Sequence, residues 1–141
     1  MKIELGDWNA MRDEARAIRY TVFVEEQGVP VELEWDDFDA QCVHAIARDA
    51  DGRAIATGRL LPDGHIGRMA VLAAARGTGV GSQVLGALMA HAQARGDASV
   101  VLNAQTHAAP FYARHGFNPE GEEFLEAGIA HITMRCVFAA S

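Results

Sequence analysis

The segment AARGTGVGSQVL, residues 74–85, decides how the rest of the chain is interpreted, because its three alternate glycines join two different patterns. The preceding HIGRMAVL has the composition of a strand, and apolar residues recur at helical spacing from Val80 onward. A turn between a strand and a helix presents free backbone N–H groups at the positive end of the helix dipole, which favours a phosphate. The same glycines also suit a tight connection that binds no ligand.

Two common nucleotide-binding motifs are excluded by the residues around these glycines. The dinucleotide fingerprint G-x-G-x-x-G requires a third glycine where this chain has Ser82 or Val84. A Walker P-loop requires a lysine after its last glycine, and the only lysine of the chain is Lys2. The segment does contain the pattern Arg76-x-x-Gly79-x-Gly81, placed after a strand and at the start of an amphipathic helix.

Length and composition indicate a single domain over residues 1–141, with 50% apolar and 22% charged residues. A net charge of −7 with one lysine offers no basic surface for DNA or RNA, so we expect no nucleic-acid partner. No apolar run approaches the roughly 20 residues of a membrane helix, and the N-terminus lacks the pattern of a signal peptide. We therefore expect a cytoplasmic protein without a membrane partner. Cys42 and Cys136 are far apart and are expected to be buried free thiols.

The hydrophobic pattern predicts strands and helices in a definite order. A strand at MKIEL precedes a helix capped by Asp7 and a second helical piece over 20–26, whereas residues 25–39, with seven carboxylates and no lysine or arginine, are predicted to form a loop. Residues 42–72 read as three antiparallel strands. A helix, the strand SVVLNAQ, a short helix beginning near Pro110, and a short strand separated by Gly128 from a longer one complete the chain.

Two motifs resemble the GCN5-related N-acetyltransferase (GNAT) family. Arg76-x-x-Gly79-x-Gly81 is similar to its acetyl-CoA pyrophosphate motif Q/R-x-x-G-x-G/A, and AAPFYARHGF resembles its A-x-x-F-Y-x-x-x-G-F segment. The stretches RYTVFVEEQGVP, HAIARDADG, GRLLPDGHIGRMAV and EFLEAGIAHITM resemble its small bacterial ElaA/YjcF-type members, so the resemblance covers nearly the whole chain. It implies an α/β (α+β) fold: a GNAT-like mixed, mostly antiparallel sheet of about six to seven strands flanked by about four helices.

The resemblance also implies that acetyl-CoA is the acyl donor and that the glycine turn holds its diphosphate. The residues assigned to acetyl-CoA lie in the strand before the turn, the turn, the next strand and the following helix: Met69, Ala70, Val71, Arg76, Gly77, Thr78, Gly79, Val80, Gly81, Ser82, Asn103, Phe111, Tyr112 and Arg114. A backbone N–H of the first three is expected to stabilise the oxyanion. Phe111 also fits a core position, and Arg76 and Arg114 also fit exposed, solvated arginines.

The chemistry needs a proton donor for the leaving thiolate and a base for the attacking amine. Tyr112 is the predicted acid, because a phenol with a pKa near 10 keeps its proton at neutral pH; a core aromatic is the alternative. His44 and His131 are the predicted bases because histidine titrates near neutral pH, with ordinary hydrogen-bonded histidines as the alternative. Glu26 and Glu126 are further candidates. Neither an H-E-x-x-H pattern nor a Cys/His cluster is present, so no metal is expected.

The sequence therefore predicts an acyl-CoA-dependent N-acetyltransferase that acts on a primary amine of a small molecule or peptide through a tetrahedral intermediate. The carboxylates of residues 25–39 either attract a cationic amine or belong to a solvated loop, and Arg19 either pairs with them or faces the substrate. A non-catalytic acyl-CoA-binding or sensing domain and an acyl-homoserine-lactone-type synthase are the alternatives. Tyr112 counts against the first and the Arg76 motif against the second, and a homodimer is left open.

Overall fold

A computed structural model describes residues 1–139 and arranges seven strands in two antiparallel sheets. The first sheet has the order β1-β2-β3-β4, and its strands are β1 (Lys2–Gly6), β2 (Val43–Arg48), β3 (Ala54–Leu60) and β4 (Ile66–Val71). The second has the order β5-β7-β6, and its strands are β5 (Ser99–Gln105), β6 (Asn118–Glu126) and β7 (Ile129–Val137). The predicted three antiparallel strands within residues 42–72 are therefore confirmed.

The two sheets are joined near one end and diverge toward the other. A parallel bridge connects His65 to Val101, and the amide of Val101 donates to the Gly64 carbonyl at 3.1 Å. Past this junction, within residues 1–139, no strand pairing connects β4 with β5. Two neighbouring parallel strands that separate in this way leave an open wedge between their carboxyl ends.

Helices α1 (Trp8–Arg19) and α3 (Val80–Ala94) cover the two faces of the first sheet, and shorter helices surround them. The shorter ones are a π-helix (Tyr20–Glu26), α2 (Val31–Glu34) and α4 (Ala109–Ala113), with 3-10 turns at Asp37–Gln41, Ala73–Ala75 and Thr106–Ala108. The helix α1 begins where predicted because the Asp7 carboxylate accepts a hydrogen bond from the Ala10 amide at 2.9 Å. The predicted second helical piece is the π-helix, a form often found at functional sites.

The hydrophobic core has one part on each face of the first sheet. Val84, Leu85 and Leu88 of α3 are fully buried against one face, and Met11, Ala15 and Ile18 of α1 pack with Ile46 and Ala70 on the other. Strand β2 is therefore buried on both faces, which explains its near-continuous apolar sequence. The rigid sheet between two cores holds the start of the wedge in place.

These observations confirm the predicted fold class and correct two of its details. Residues 25–39 are not a loop, because they contain the end of the π-helix, α2 and part of a 3-10 helix, with Glu34 and Asp39 buried. The strand before Gly128 is not short: β6 and β7 each have nine residues. The sequence hid this because β6 is an exposed edge strand with Pro119 and an irregularity between Glu120 and Phe124.

Two further predictions concern the cysteines and the membrane. Cys42 is a buried free thiol whose pKa is raised by burial to about 11, and Cys136 is a half-buried free thiol. In the part of the chain that the structure describes, no helix has the length and apolar character required to span a bilayer.

Candidate active site

The wedge between β4 and β5 opens into a cleft of about 1330 Å³. Its walls come from the π-helix, the segment containing α2, both wedge strands, the glycine turn, α4, and the end of the β6–β7 hairpin. The cleft thus gathers elements from the whole length of the chain. A volume of this size exceeds that of ordinary small-molecule pockets, so it can hold an extended ligand together with a second one.

The glycine turn lies at one end of the cleft and has the backbone of an anion site. Gly77 and Gly79 have φ angles of 76° and 84°, which glycine adopts without the steric penalty of a Cβ. The helix α3 begins at Val80, so the amides of Val80, Gly81 and Ser82 have no acceptor within the helix. These N–H groups lie at the positive end of the helix dipole, beside the cleft.

Arg76 lines the same end of the cleft and is held by the protein. Its Nε donates to the Val71 carbonyl at 3.0 Å, and its Nη2 donates to both oxygens of Glu26 at 2.8 Å. Almost half of the side-chain surface is exposed. The ion pair bridges from the glycine turn to the π-helix, which the sequence had not connected.

Other residues assigned to acetyl-CoA have mixed surroundings. Arg114 is exposed and lines the cleft, and Ser82 shares a hydrogen bond with His115 at 3.0 Å. Thr78 donates its hydroxyl to the Ala75 carbonyl, within the turn itself. Asn103 lines the cleft on β5 while its Oδ1 accepts from Thr133 at 2.9 Å.

The aromatic pair on α4 belongs to both the core and the cleft. Phe111 and Tyr112 are half-buried, lie edge to face with centroids 5.0 Å apart, and line the cleft. The Phe111 ring would lie 3.6 Å from a Cβ at Gly81, so it supports the start of α3. Burial raises the pKa of Tyr112 to about 12, so its hydroxyl stays protonated across the physiological range.

Strand β4 directs some of its amides toward the wedge. Leu72 donates its amide to the Ile55 carbonyl at 2.9 Å, on the β3 side. Because amide direction alternates along a strand, the Ala70 amide also faces β3, whereas those of Val71 and Met69 face the open edge. The Val71 carbonyl, which accepts from Arg76, lies on that same edge.

An irregularity interrupts β4 before Met69. The pairing with β3 shifts between Thr57 and Arg59, opposite Arg68, and Arg68 has a φ of 49°. Positive φ is uncommon for a residue with a Cβ and occurs where the surroundings hold it in place. Here three hydrogen bonds do so: Arg68 donates to the carbonyls of Glu34 (3.2 Å) and Leu33 (3.4 Å) and to Asp36 (3.2 Å).

The two predicted base histidines occupy different environments. His131 lines the cleft, its Nδ1 lies 2.7 Å from the Ile129 carbonyl, and its Nε2 lies 3.5 Å from a Glu126 oxygen. His44 is 1% exposed, and its Nε2 lies 2.9 Å from the Asp39 carbonyl. Burial lowers the pKa of His44, and its ring packs on Trp8. His44 is absent from the residues that line the cleft, so its position does not support the base role predicted for it.

Six charged residues form a buried ion-pair network beside the cleft: Arg19, Arg59, Arg68, Glu34, Asp36 and Asp39. Arg19 donates to Glu34 and, at 2.9 Å, to Asp39. Arg59 bridges Asp39 at 2.9 Å and Asp36 at 2.7 Å. Of the two readings of Arg19, pairing with the acidic segment is therefore the one observed, and this segment is not a solvated loop.

Charge balance within the network shifts the acid–base equilibria of its members. Burial alone would raise the pKa values of Asp36 and Asp39, but hydrogen bonds and charges from arginines outweigh it and hold both below the ordinary value. For Arg68 the charged form is instead disfavoured, because burial and the charge of Arg59 lower its pKa.

Two contributors to the cleft, Arg68 and Gln27, were missed from the sequence, and a third, Glu26, was considered for a different role. Arg68 lies within the quoted HIGRMAVL, but only its contact with the α2 segment reveals its position. Gln27, at the end of the π-helix, accepts a hydrogen bond from Gln105 at 2.9 Å and so bridges the cleft. Glu26 was considered as a base, whereas in the structure it is paired with Arg76. Pairings between distant segments leave no local signal.

Known proteins resemble the chain over almost its full length. The family described as acetyltransferase (GNAT) domain matches residues 13–138. YjcF of Bacillus subtilis, called an uncharacterized N-acetyltransferase, is 39% identical over 138 residues, covering 95% of this chain and 98% of the relative. An acyl-CoA N-acyltransferase from Pseudomonas aeruginosa superposes with a TM-score of 0.86 and 32% identity over 96% of this chain and 99% of that one. Escherichia coli ElaA does so with a TM-score of 0.86, 27% identity and the same coverages, 96% and 99%.

Proposed function

Because the chain belongs to the acetyltransferase (GNAT) family, we propose that it transfers an acetyl group from acetyl-CoA to a primary amine of a small molecule or peptide. The likeness to YjcF and ElaA also confirms the subgroup predicted from the sequence. The observation that carries the proposal is the single cleft that joins an anion-binding helix start, an open strand edge and a protonated tyrosine.

The donor is proposed to bind with its diphosphate on the free amides of the glycine turn. Val80, Gly81 and Ser82 supply three N–H groups, and the left-handed conformations of Gly77 and Gly79 shape the approach. Arg76 is held by Glu26 and the Val71 carbonyl, so its guanidinium is proposed to meet the diphosphate in a fixed orientation. The acyl arm then follows the wedge between β4 and β5.

The acetyl carbonyl is proposed to face the open edge of β4. When the amine nitrogen attacks the thioester carbon, the oxyanion accepts a hydrogen bond from the Met69 or Val71 amide. The direction of strand amides favours these two over Ala70, which was included in the sequence-based assignment. Collapse of the intermediate breaks the C–S bond and leaves the thiolate.

Tyr112 is proposed to stabilise that thiolate. Its pKa of about 12 lies about 3.5 pH units above the ordinary value of a thiol, near 8.5, so complete proton transfer to sulfur is unfavourable. A hydrogen bond from the hydroxyl is sufficient to stabilise the developing charge. The thiol gains its proton from the amine through the base, or from solvent, so that atoms and charges balance.

His131 is proposed as the base that removes a proton from the attacking amine. If its Nδ1–H donates to the Ile129 carbonyl, its Nε2 carries the lone pair toward Glu126 and the cleft. Glu126 then stabilises the imidazolium. His44 is not proposed for this role, since its buried Nε2 is engaged with Asp39.

The alternatives make different predictions for one experiment. Thiol release from acetyl-CoA is measured with polyamines, amino acids, aminosugars, aminoglycosides and peptides, after a thermal shift has compared acetyl-CoA with NAD and ATP. Stabilisation by acetyl-CoA and amine-dependent thiol release support the acetyltransferase. Stabilisation without release from any amine supports the sensing domain. Thiol release only when S-adenosylmethionine is added to the panel as the acceptor supports the synthase.

A further inference from the structure

The acceptor side of the cleft can be identified from the faces of the strands. Leu102 and Ala104 of β5 are buried in the core beneath α3, so Asn103 and Gln105 face the opposite side. His131 is the register partner of Gln105 and faces that side with it. On β4, Ala70 packs in the core formed with α1 and the π-helix. The side of the wedge that carries Asn103, Gln105 and His131 is therefore the side covered by the π-helix and the α2 segment.

Arg68 lies on this side of the wedge and has an unused donor. Its Nε and Nη2 are occupied by Glu34, Leu33 and Asp36, whereas its Nη1 has no protein acceptor in residues 1–139. About a quarter of the side-chain surface is exposed, and the residue lines the cleft. The guanidinium is therefore fixed in orientation while one of its nitrogens is free for a ligand.

The charges around Arg68 favour binding of an anionic ligand group over a cationic one. Three arginines and three carboxylates make up the buried network, so it has no net negative charge to attract an amine. Arg19 and Arg59 make the shorter contacts with Asp39 and Asp36, so the carboxylate oxygens nearest to Arg68 are one of Asp36 at 3.2 Å and one of Glu34 at 4.0 Å. The acidic segment thus holds arginines at the cleft.

The opposite wall carries the complementary charge. Glu126, at the end of β6, is more than half exposed, lines the cleft, and has His131 as its neighbour. Glu126 and His131 lie across the wedge from Arg68, beyond β5. One wall thus offers a cation and the other a carboxylate beside a histidine.

We propose that Arg68 binds a carboxylate of the acceptor through Nη1, so that the acceptor is an amino acid or a similar amine that carries a carboxylate. This inference rests on the proposed function and names its substrate class. The amine of such a molecule faces His131 and Glu126 while its carboxylate is held on β4. Arg68 is then a specificity-determining residue, and polyamines lack the group that it recognises.

The test compares each L-amino acid with its carboxamide and with the amine that lacks the carboxyl group, using thiol release from acetyl-CoA. Because hydrogen bonds to charged groups are among the stronger ones, we expect kcat/KM for the preferred acid to exceed that for its carboxamide by about 10–100-fold. Arg68→Gln keeps a Cβ at the same φ and should reduce this ratio to about 2 or less by raising the KM of the acid alone. Arg68→Lys should retain part of the preference, and exposed Arg53→Gln should retain all of it.

Three results would overturn the proposal. The first is that the wild type uses carboxamides or diamines with the same kcat/KM as acids. The second is that Arg68→Gln lowers kcat/KM for the acid and its carboxamide equally, and the third is that Arg53→Gln also loses the preference for the acid. If no amine at all releases thiol, the proposed function fails on its own. Titration calorimetry of the acids and carboxamides into protein saturated with CoA then compares their Kd values and so tests the carboxylate site. Equal Kd values for acid and carboxamide in the wild type would contradict the proposal.

Discussion

The two ends of the cleft are built from different kinds of groups. At the donor end, the turn from Arg76 to Ser82 presents main-chain amides, and side-chain identity matters chiefly where glycine permits the backbone path. At the acceptor end, Arg68, His131 and the buried ion-pair network bring side chains from separate segments into one place. Under the proposed function, donor binding is a local property of the sequence, whereas acceptor selection depends on the assembled fold.

The largest predicted effect is on the free energy of unfolding, and it originates in the ion-pair network at the proposed acceptor end. Arg19→Met removes the main partner of buried Glu34 and one of the two arginines that pair with Asp39, and breaking a buried ion pair costs about 3–5 kcal/mol. Urea unfolding measures this loss, with exposed Arg12→Ala expected to change stability by less than about 0.5 kcal/mol. Under conditions where the variant stays folded, its acetyl-CoA affinity should be normal. A loss below about 1 kcal/mol would contradict the role assigned to the network.

The next effect separates chemistry from binding at the donor end. Tyr112→Phe removes the hydroxyl but keeps the ring on the core, so kcat should fall by about 100-fold with little change in the KM for acetyl-CoA. Because the pKa of Tyr112 is about 12, its ionisation should not reduce kcat below about pH 11. Steady-state kinetics with the best acceptor measures both, and Tyr20→Phe, at an exposed tyrosine, is the control. Unchanged turnover would remove Tyr112 from the mechanism.

A smaller effect is expected at the backbone of the glycine turn. Gly79→Val forces a β-branched residue to a φ of 84°, with a cost of about 1–3 kcal/mol and a rise of about tenfold in the Kd for acetyl-CoA. Gly81 has an ordinary helical φ, and a Cβ placed there would lie 3.6 Å from both Phe111 and Val71, so Gly81→Val should cost less stability than Gly79→Val and should affect Kd more than stability.

Gly86→Ala provides the matched control for the turn. This glycine lies on the exposed side of α3 with open space around its Cβ position, and alanine there should stabilise the helix by about 0.5–1 kcal/mol without altering the Kd. Calorimetric titration and urea unfolding report the two quantities separately. Loss of stability in both valine variants without a separate change in Kd would favour the alternative that the turn is a tight connection that binds no ligand.

The smallest effect near neutral pH comes from the titration of the network. The pKa values of Asp36 and Asp39 are below their ordinary value of 3.8 in the folded protein, so their contribution to stability is complete above that value. It is lost as pH falls through the lower folded pKa values. The free energy of unfolding should thus show little change from these groups between about pH 7 and pH 5 and should fall below about pH 4. Asp39→Asn should weaken this acid dependence, and an equal dependence in both proteins would contradict the assignment.

The same contrast explains which features were predictable from the sequence. Strand β5 and helix α3 have strong apolar patterns, and Arg76, Gly79 and Gly81 form a motif within six residues, so periodicity and spacing predicted them. These elements are determined by interactions within a short segment.

The acceptor end could not be predicted in this way. The carboxylates near Glu34 read as a solvated loop because their partners, Arg19 and Arg59, are 15 and 23 residues from Glu34 and Asp36 respectively. His44 and His131 both lie in strands, and only three-dimensional packing shows that one is enclosed while the other reaches the cleft. Burial of a charge depends on its partner, and the partner is known only once the chain has folded.

The measurement that tests the central claim most directly quantifies both products of one reaction. The wild-type protein is incubated with acetyl-CoA and the amine panel, free thiol is determined by absorbance, and the acetamide is identified by mass spectrometry. The proposed function predicts one acetamide for each thiol released, at a rate that depends on the amine and falls in Tyr112→Phe. Thiol release that is independent of the amine, or acetyl-CoA binding without either product, would contradict it.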